Sequence, residues 1–214
     1  KVDDWVLETA LTQIDAWQRQ GLRLPVSVNI AAHNLLQTDF VARIATLLAK
    51  HPMLLPGGLE LEVLETSALE DIEHVSQVIQ DCARMGVDFA LDDFGTGYSS
   101  LLYLKRLPAN ILKIDQSFVR DMLSDPDDLA IIDGVLGLAT SFGRKVIAEG
   151  VETVAHGEAL LQLGCELAQG YGIARPMPAD EILNWRALWQ PDPRWAQTTY
   201  LERNRLSMNH RLQA

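Results

Sequence analysis

Leu59-Glu60-Leu61-Glu62-Val63-Leu64 alternates apolar and acidic side chains before closing on Leu64. Side chains on a strand point to opposite faces with period two, so Leu61 and Val63 form an apolar face and Glu60 and Glu62 an acidic one. Five further stretches read as strands: Val26–Ala31, Phe89–Phe94, Ile111–Asp115, Lys145–Gly150 and Leu167–Tyr171. Their apolar phase continues that of Leu61: Val26, Val28 and Ile30, then Phe89 and Leu91, Leu112 and Ile114, Val146 and Ala148, and Ala168. Their other phase carries Ser27 and Asn29, Ala90 and Asp92, Lys113 and Asp115, Lys145 and Glu149, and Gln169. A parallel sheet covered by helices on both faces is apolar in both phases. Polar groups confined to one phase, and crowded toward strand C-termini, instead fit a closed α/β barrel with its site at that end.

Between the strands run helical patterns at 34–50, 68–85, 118–142 (broken near Asp125-Pro126) and 154–163, with a short one after Ser99. A helix over 3–20 precedes the first strand, with Leu7, Ala10, Leu11, Ile14 and Trp17 on one stripe. This β-α alternation implies parallel strands. Twenty-nine acidic against 18 basic residues leave a net charge of -11, which argues against binding polymeric nucleic acid or an anionic membrane. Small anionic ligands stay open, because carboxylates that hold divalent cations attract phosphate through the metal. No apolar run approaches the ~18–20 residues of a membrane span, so no membrane contact is expected from this chain. Cys82 and Cys165 form neither a disulfide framework nor a CxxC site and read as core thiols of a cytoplasmic protein.

Asn29, Glu62, Asp92, Lys113, Glu149 and Gln169 fall near the ends of different strands on the polar phase. A single strand-end acid is most often a cap or a surface ion pair, and Lys113 alone could be a structural partner of Glu62 or Glu149. Six polar residues at matching depth are not explained that way. Three converging carboxylates need a cation among them, and an all-oxygen set suits Mg²⁺ or Mn²⁺ rather than zinc. Asp92 and Asp93 can both reach the mouth only if the chain turns there, and Gly95 and Gly97 allow that turn. One Asp bridging two metals while the next holds the second suits phosphoryl hydrolysis. The five histidines lack ligand spacing, and Gly95-Thr96-Gly97 lacks the Walker lysine and the dinucleotide spacing.

Asp92-Asp93-Phe94-Gly95-Thr96-Gly97-Tyr98-Ser99-Ser100, Leu112-Lys113-Ile114-Asp115, Ala148-Glu149-Gly150-Val151-Glu152-Thr153 and Ala168-Gln169-Gly170-Tyr171 follow in order. With these motifs the chain closely resembles the EAL-domain family of bacterial cyclic di-GMP phosphodiesterases, from residue 1 to about Leu188. The resemblance implies a modified (β/α)8 barrel over 1–189; the composition shift at Gln190-Pro191-Asp192-Pro193 marks 190–214 as a C-terminal extension, read from its own residues as helical. The resemblance also implies hydrolysis of cyclic di-GMP to linear pGpG by a two-metal mechanism using Mg²⁺ or Mn²⁺. By motif match, Asn29, Glu62, Asp92 and Asp93 are metal ligands, with Asp92 bridging. Lys113 orients or deprotonates the attacking water, Glu149 serves the metal–water cluster and Gln169 holds a water or phosphate oxygen. Glu65 fixes the loop after Asp93, and Glu152 contacts ligand. A homodimer through the loop at Asp93 and the following helix is also implied. Upstream sensor or diguanylate cyclase domains are common in the family, and through them a full-length protein could be membrane-anchored.

Two departures stand out. The Glu-Ala-Leu signature, whose Glu is a metal ligand, is not at the start of this chain, and the usual Asn-x-Ser-x-Arg reads Asn29-Ile30-Ala31-Ala32-His33. The length agrees with the first: 214 residues are short for a barrel of about 250, and six strands are legible where eight are expected. The missing strands and the signature are therefore expected before Lys1, in a βαβ unit of about 30 residues. The principal alternative is a catalytically inactive cyclic di-GMP receptor or interaction module. A barrel lyase using Lys113 as a Schiff base is a more distant one.

Overall fold

The computed structural model describes residues 2–64, 71–96 and 101–196. These residues fall into two compact units, one within the bounds Lys1–Leu112 and Phe142–Arg144 and the other within Lys113–Ser141 and Lys145–Ala214.

The first unit opens with α1 (Val2–Arg19), whose Leu7, Leu11, Ile14 and Trp17 are buried as the stripe requires, with Ala10 half-buried. Then come β1 (Val26–Asn29), α2 (Ala32–Leu35), α3 (Phe40–Ala49), β2 (Leu59–Leu64), α4 (Ile72–Arg84), β3 (Asp88–Phe94) and α5 (Leu101–Arg106). β1, β2 and β3 pair in parallel and in chain order, with Val28 opposite Leu61 and Leu61 opposite Phe89. The apolar phase packs on the helices: Phe40 and Ile44 from α3, and Val75, Val78 and Ile79 from α4, are buried with the strand residues. The polar phase is buried too, with Glu60 at 5% and Glu62 at 6% exposure. Ser27 donates to Glu60 Oε1 at 2.8 Å, so the lower polar layer is satisfied across the β1–β2 register. Arg144 donates from Nη2 to the carbonyls of Leu104 and, at 2.6 Å, Leu107, and so closes the end of α5. Burial holds its basicity below the usual guanidinium value.

β4 (Ile111–Ile114) starts in the first unit and ends in the second. The second unit continues with α6 (Gln116–Asp121), α7 (Pro126–Ser141), β5 (Lys145–Ala148), α8 (Val154–Gln162), β6 (Leu167–Ala168) and α9 (Ile182–Leu188). β5 and β6 are parallel, with Ala148 opposite Ala168. Its core includes Val119, Ile132, Ala139, Ala148, Val151 and Leu160. Beyond α9, Trp195 donates from Nε1 to the Val154 carbonyl at 2.9 Å. Its ring fills the place a side chain at Gly157 would occupy, since a Cβ there would sit 2.5 Å from Nε1. The extension thus begins packed on α8, with helical backbone at 193–196; the expectation for 197–214 lies outside the described residues.

The helix expected over 34–50 is two helices, because the polar run Gln37-Thr38-Asp39 interrupts it and Asp39 stands at the N-cap of α3. Helix α9 is not among the helical stretches expected from the sequence: it has only 7 residues and none of them is buried. Both cysteines are free and buried. Burial pushes the Cys82 thiol up to about 12 and Cys165 up to about 11. With thiolate suppressed at neutral pH, neither should react with a thiol-specific disulfide reagent in the native protein, while both react once it is unfolded. Rapid labelling of native protein at pH 7 would contradict the buried placement.

Candidate active site

In the first unit, Asn29 ends β1 and lies directly opposite Glu62 on β2. Glu62 pairs in turn with Ala90 on β3, and two residues further on the same face comes Asp92. Asn29 is exposed and Glu62 buried, while Asp92 and Asp93 are half-buried. A carboxylate oxygen of Asp92 and one of Asp93 lie within 4.8 Å of each other, so two consecutive strand residues do present their charges together. The backbone reason is at Asp93 itself, which has φ 54. The left-handed region is costly for most side chains, and Asp and Asn are among the few that visit it. Gly95 follows at φ 102, and Thr96 bonds back to the Asp93 carbonyl through its hydroxyl at 2.9 Å and its N–H at 3.3 Å. The turn expected from the glycines thus begins two residues earlier. Gly97 and Glu65 lie outside the described residues.

The donor set of this unit fits a hard divalent cation. Asn29, Glu62, Asp92 and Asp93 offer oxygen atoms only, with Glu62 buried and the two Asp carboxylates close enough to repel without a cation.

In the second unit, Lys113 on β4 is 3% exposed. Its Nζ lies 2.5 Å from Glu149 Oε1. Glu149 follows the end of β5, where its N–H donates to the Ile114 carbonyl at 3.1 Å. Gln169 follows β6, its N–H bonded to the Ala148 carbonyl at 2.9 Å, and its side-chain amide donates to Glu149 Oε1 at 2.6 Å. Three successive strand ends therefore contribute one ammonium, one carboxylate and one carboxamide to a single connected group. Glu152 is exposed nearby, its N–H donating to the ring of buried His156 at 3.4 Å. His156 is thus a backbone acceptor, in line with the absence of ligand spacing among the histidines.

Gly170 allows this arrangement. It has φ 155, and a Cβ there would stand 2.3 Å from the N and O of Val151. Gly170→Ala is expected to cost about 2 kcal/mol or more, lowering the melting temperature by roughly 4–8 °C; an unchanged melt would refute the close approach.

A cavity of about 580 Å³ opens beside Glu149 and Gln169, walled by Tyr171, Arg175 and Trp185 among others. Sequence reasoning does not single out these three as wall residues. Tyr171 closes the last motif and Arg175 follows four residues later, but Trp185 sits on the unforeseen α9. Glu158-Ala159-Leu160 does spell the signature triplet, yet it lies in α8, with Leu160 buried and Glu158 3.9 Å from Arg194. It is a helix-packing segment rather than a strand-end ligand.

Comparison with known proteins agrees with this architecture. A family model described as EAL domain matches residues 1–176. The bifunctional diguanylate cyclase/cyclic di-GMP phosphodiesterase MucR of Pseudomonas aeruginosa is 41% identical over 184 residues, which are 86% of this chain and 27% of that protein. The chain thus spans little more than a quarter of that relative. A solved PaMucR phosphodiesterase in complex with c-di-GMP matches with TM-score 0.80 and 41% identity, over 85% of this chain and 73% of that one. The EAL domain of Mycobacterium smegmatis DcpA matches with TM-score 0.82 and 36% identity, over 87% and 84% of the two chains. The parallel α/β fold is the TIM-like barrel fold to which the strand phases pointed, and the chain belongs to the EAL domain family.

Proposed function

We propose that this chain hydrolyses cyclic di-GMP to linear pGpG with two Mg²⁺ or Mn²⁺ ions. The observation that carries the reading is the buried Lys113 paired with Glu149, which Gln169 also holds, at three successive strand ends. In this reading Asn29, Glu62, Asp92 and Asp93 hold the ions, with Asp92 shared between them. Bound ions supply charge stabilisation for the attacking and leaving oxygens. Water attacks one phosphorus in line, the bond to the 3′-oxygen breaks, that oxygen takes up a proton and the 5′-phosphate stays on the product. Glu149 accepts a hydrogen bond from the attacking water. Lys113 fixes the carboxylate and offsets negative charge as it builds, and the Gln169 amide sets the carboxylate's orientation. Glu152, exposed at the cavity wall, meets the ligand, and Glu65 steadies the loop after Asp93.

The test is incubation with cyclic di-GMP and Mn²⁺ followed by chromatography. The expected product is pGpG, with turnover abolished by a chelator. Binding of cyclic di-GMP without turnover would replace the enzyme by a receptor.

The same reading carries a homodimer through the Asp93 loop and α5, operation in the cytoplasm where both thiols stay reduced, and control by sensor or cyclase domains. Among the described residues no helix is long and apolar enough to cross a membrane. A monomeric mass in sedimentation equilibrium would remove the dimer.

A further inference from the structure

We propose that Arg175 reads the edge of one guanine of the substrate, with Tyr171 as its platform and Trp185 as a stacking wall; the inference rests on the cyclic di-GMP reading above. The cavity of about 580 Å³ beside Glu149 and Gln169 has the size of a small-molecule site. A substrate whose phosphodiester lies at Glu149 must put a base somewhere, and this cavity adjoins that residue. The Arg175 guanidinium lies over the Tyr171 ring, 4.8 Å from its centroid. Stacking of this kind holds the guanidinium plane and leaves its N–H edge to donate. Among the described residues no carboxylate pairs with Arg175, so the edge is available to a ligand.

Chemistry then selects the base. A planar fork of two donors matches the O6 and N7 acceptors of guanine, whereas adenine presents an amino donor in place of O6. A lysine in the same place would supply charge without the fork. Trp185 projects from α9 into the same cavity and is braced by Trp189, their ring centroids 5.7 Å apart. An indole stacks on any base, so it contributes affinity without discrimination. The division of labour is therefore specific: Arg175 separates guanine from adenine, and Trp185 holds either.

The experiment compares kcat/KM, with Mn²⁺, for cyclic di-GMP, cyclic di-AMP and the base-free diester bis(p-nitrophenyl) phosphate in the parent, Arg175→Ala, Arg175→Lys and Trp185→Leu proteins. Arg175→Ala should lower kcat/KM for cyclic di-GMP about tenfold, mainly through KM, and shrink the guanine preference by the same factor. Hydrolysis of the base-free diester should fall by clearly less than that of cyclic di-GMP. Arg175→Lys should recover little of the loss, and Trp185→Leu should raise KM for both cyclic dinucleotides alike. An undiminished guanine preference in Arg175→Ala, or an equal loss on the base-free diester, overturns the inference while the phosphodiesterase reading stands. If the parent binds cyclic di-GMP without turnover, the same comparison is made on the two dissociation constants. A parent that neither binds nor hydrolyses cyclic di-GMP removes the functional reading and this inference with it.

Discussion

Asp92→Asn is expected to lower turnover of cyclic di-GMP by about a thousandfold or more, an effect on the scale of losing a principal electrostatic stabiliser. The substitution preserves shape and keeps one oxygen, so packing on β3 is unaffected. What it removes is a negative charge on the face that also carries Glu62 and Asn29, one alternation beyond Ala90. It also points an amide donor where a cation is proposed. Stability should move the other way. A carboxylate oxygen of Asp92 and one of Asp93 lie within 4.8 Å of each other, and removing one of two like charges relieves repulsion in the metal-free protein. The variant should therefore melt no lower than the parent in a chelator. With Mn²⁺ added, the parent should gain stability by ligand linkage and the variant much less. That thermal shift reads the metal directly and does not depend on activity. Near-parental rates together with a full Mn²⁺ shift would refute the bridging role of Asp92.

The alternation in Leu59–Leu64 is a strong fold signal in the amino-acid sequence because both phases are buried for different reasons. Leu61 packs on helices, and Glu62 is held within the polar phase. The same logic locates all six strands, yet the pattern overruns at Ala31, Gly150 and Tyr171, where β1, β5 and β6 end at Asn29, Ala148 and Ala168. The overrun has a physical cause. The residues just past the strands, Glu149 and Gln169 among them, still use backbone hydrogen bonds to Ile114 and Ala148 but have left regular pairing to aim side chains at one another. Two site features are not legible in the pattern. The positive φ of Asp93 follows from its surroundings, since Asp tolerates but does not demand that conformation. Trp185 reaches the cavity from a helix of 7 residues with no buried residue, too short for its apolar spacing to stand out from a loop.

Lys113 separates a structural ion pair from a working one. It is 3% exposed, and its side chain and that of Glu149, 4% and 15% exposed, approach to 2.5 Å. Breaking such a pair from one side leaves an uncompensated charge away from water, typically at a cost of about 3–5 kcal/mol, whereas replacing both members is often nearly neutral. Lys113→Met is therefore expected to destabilise the protein by about 3 kcal/mol, or roughly 6–12 °C in melting temperature. The double variant Lys113→Met/Glu149→Gln should recover most of that loss. Glutamine keeps an oxygen to accept from the Gln169 amide, which now lies 2.6 Å from Glu149 Oε1, and methionine fills the lysine stem's apolar path. The two readings of Lys113 part at this point. If the pair only holds β4 to the end of β5, activity should return with stability in the double variant. If Lys113 and Glu149 act on water and phosphate, as proposed, the double variant should fold like the parent and still hydrolyse cyclic di-GMP about a hundredfold or more slowly, the usual weight of positioned acid–base groups. Melting curves and turnover on the same three proteins decide it: recovery of both together makes Lys113 a structural residue, and recovery of the fold alone assigns it to the reaction.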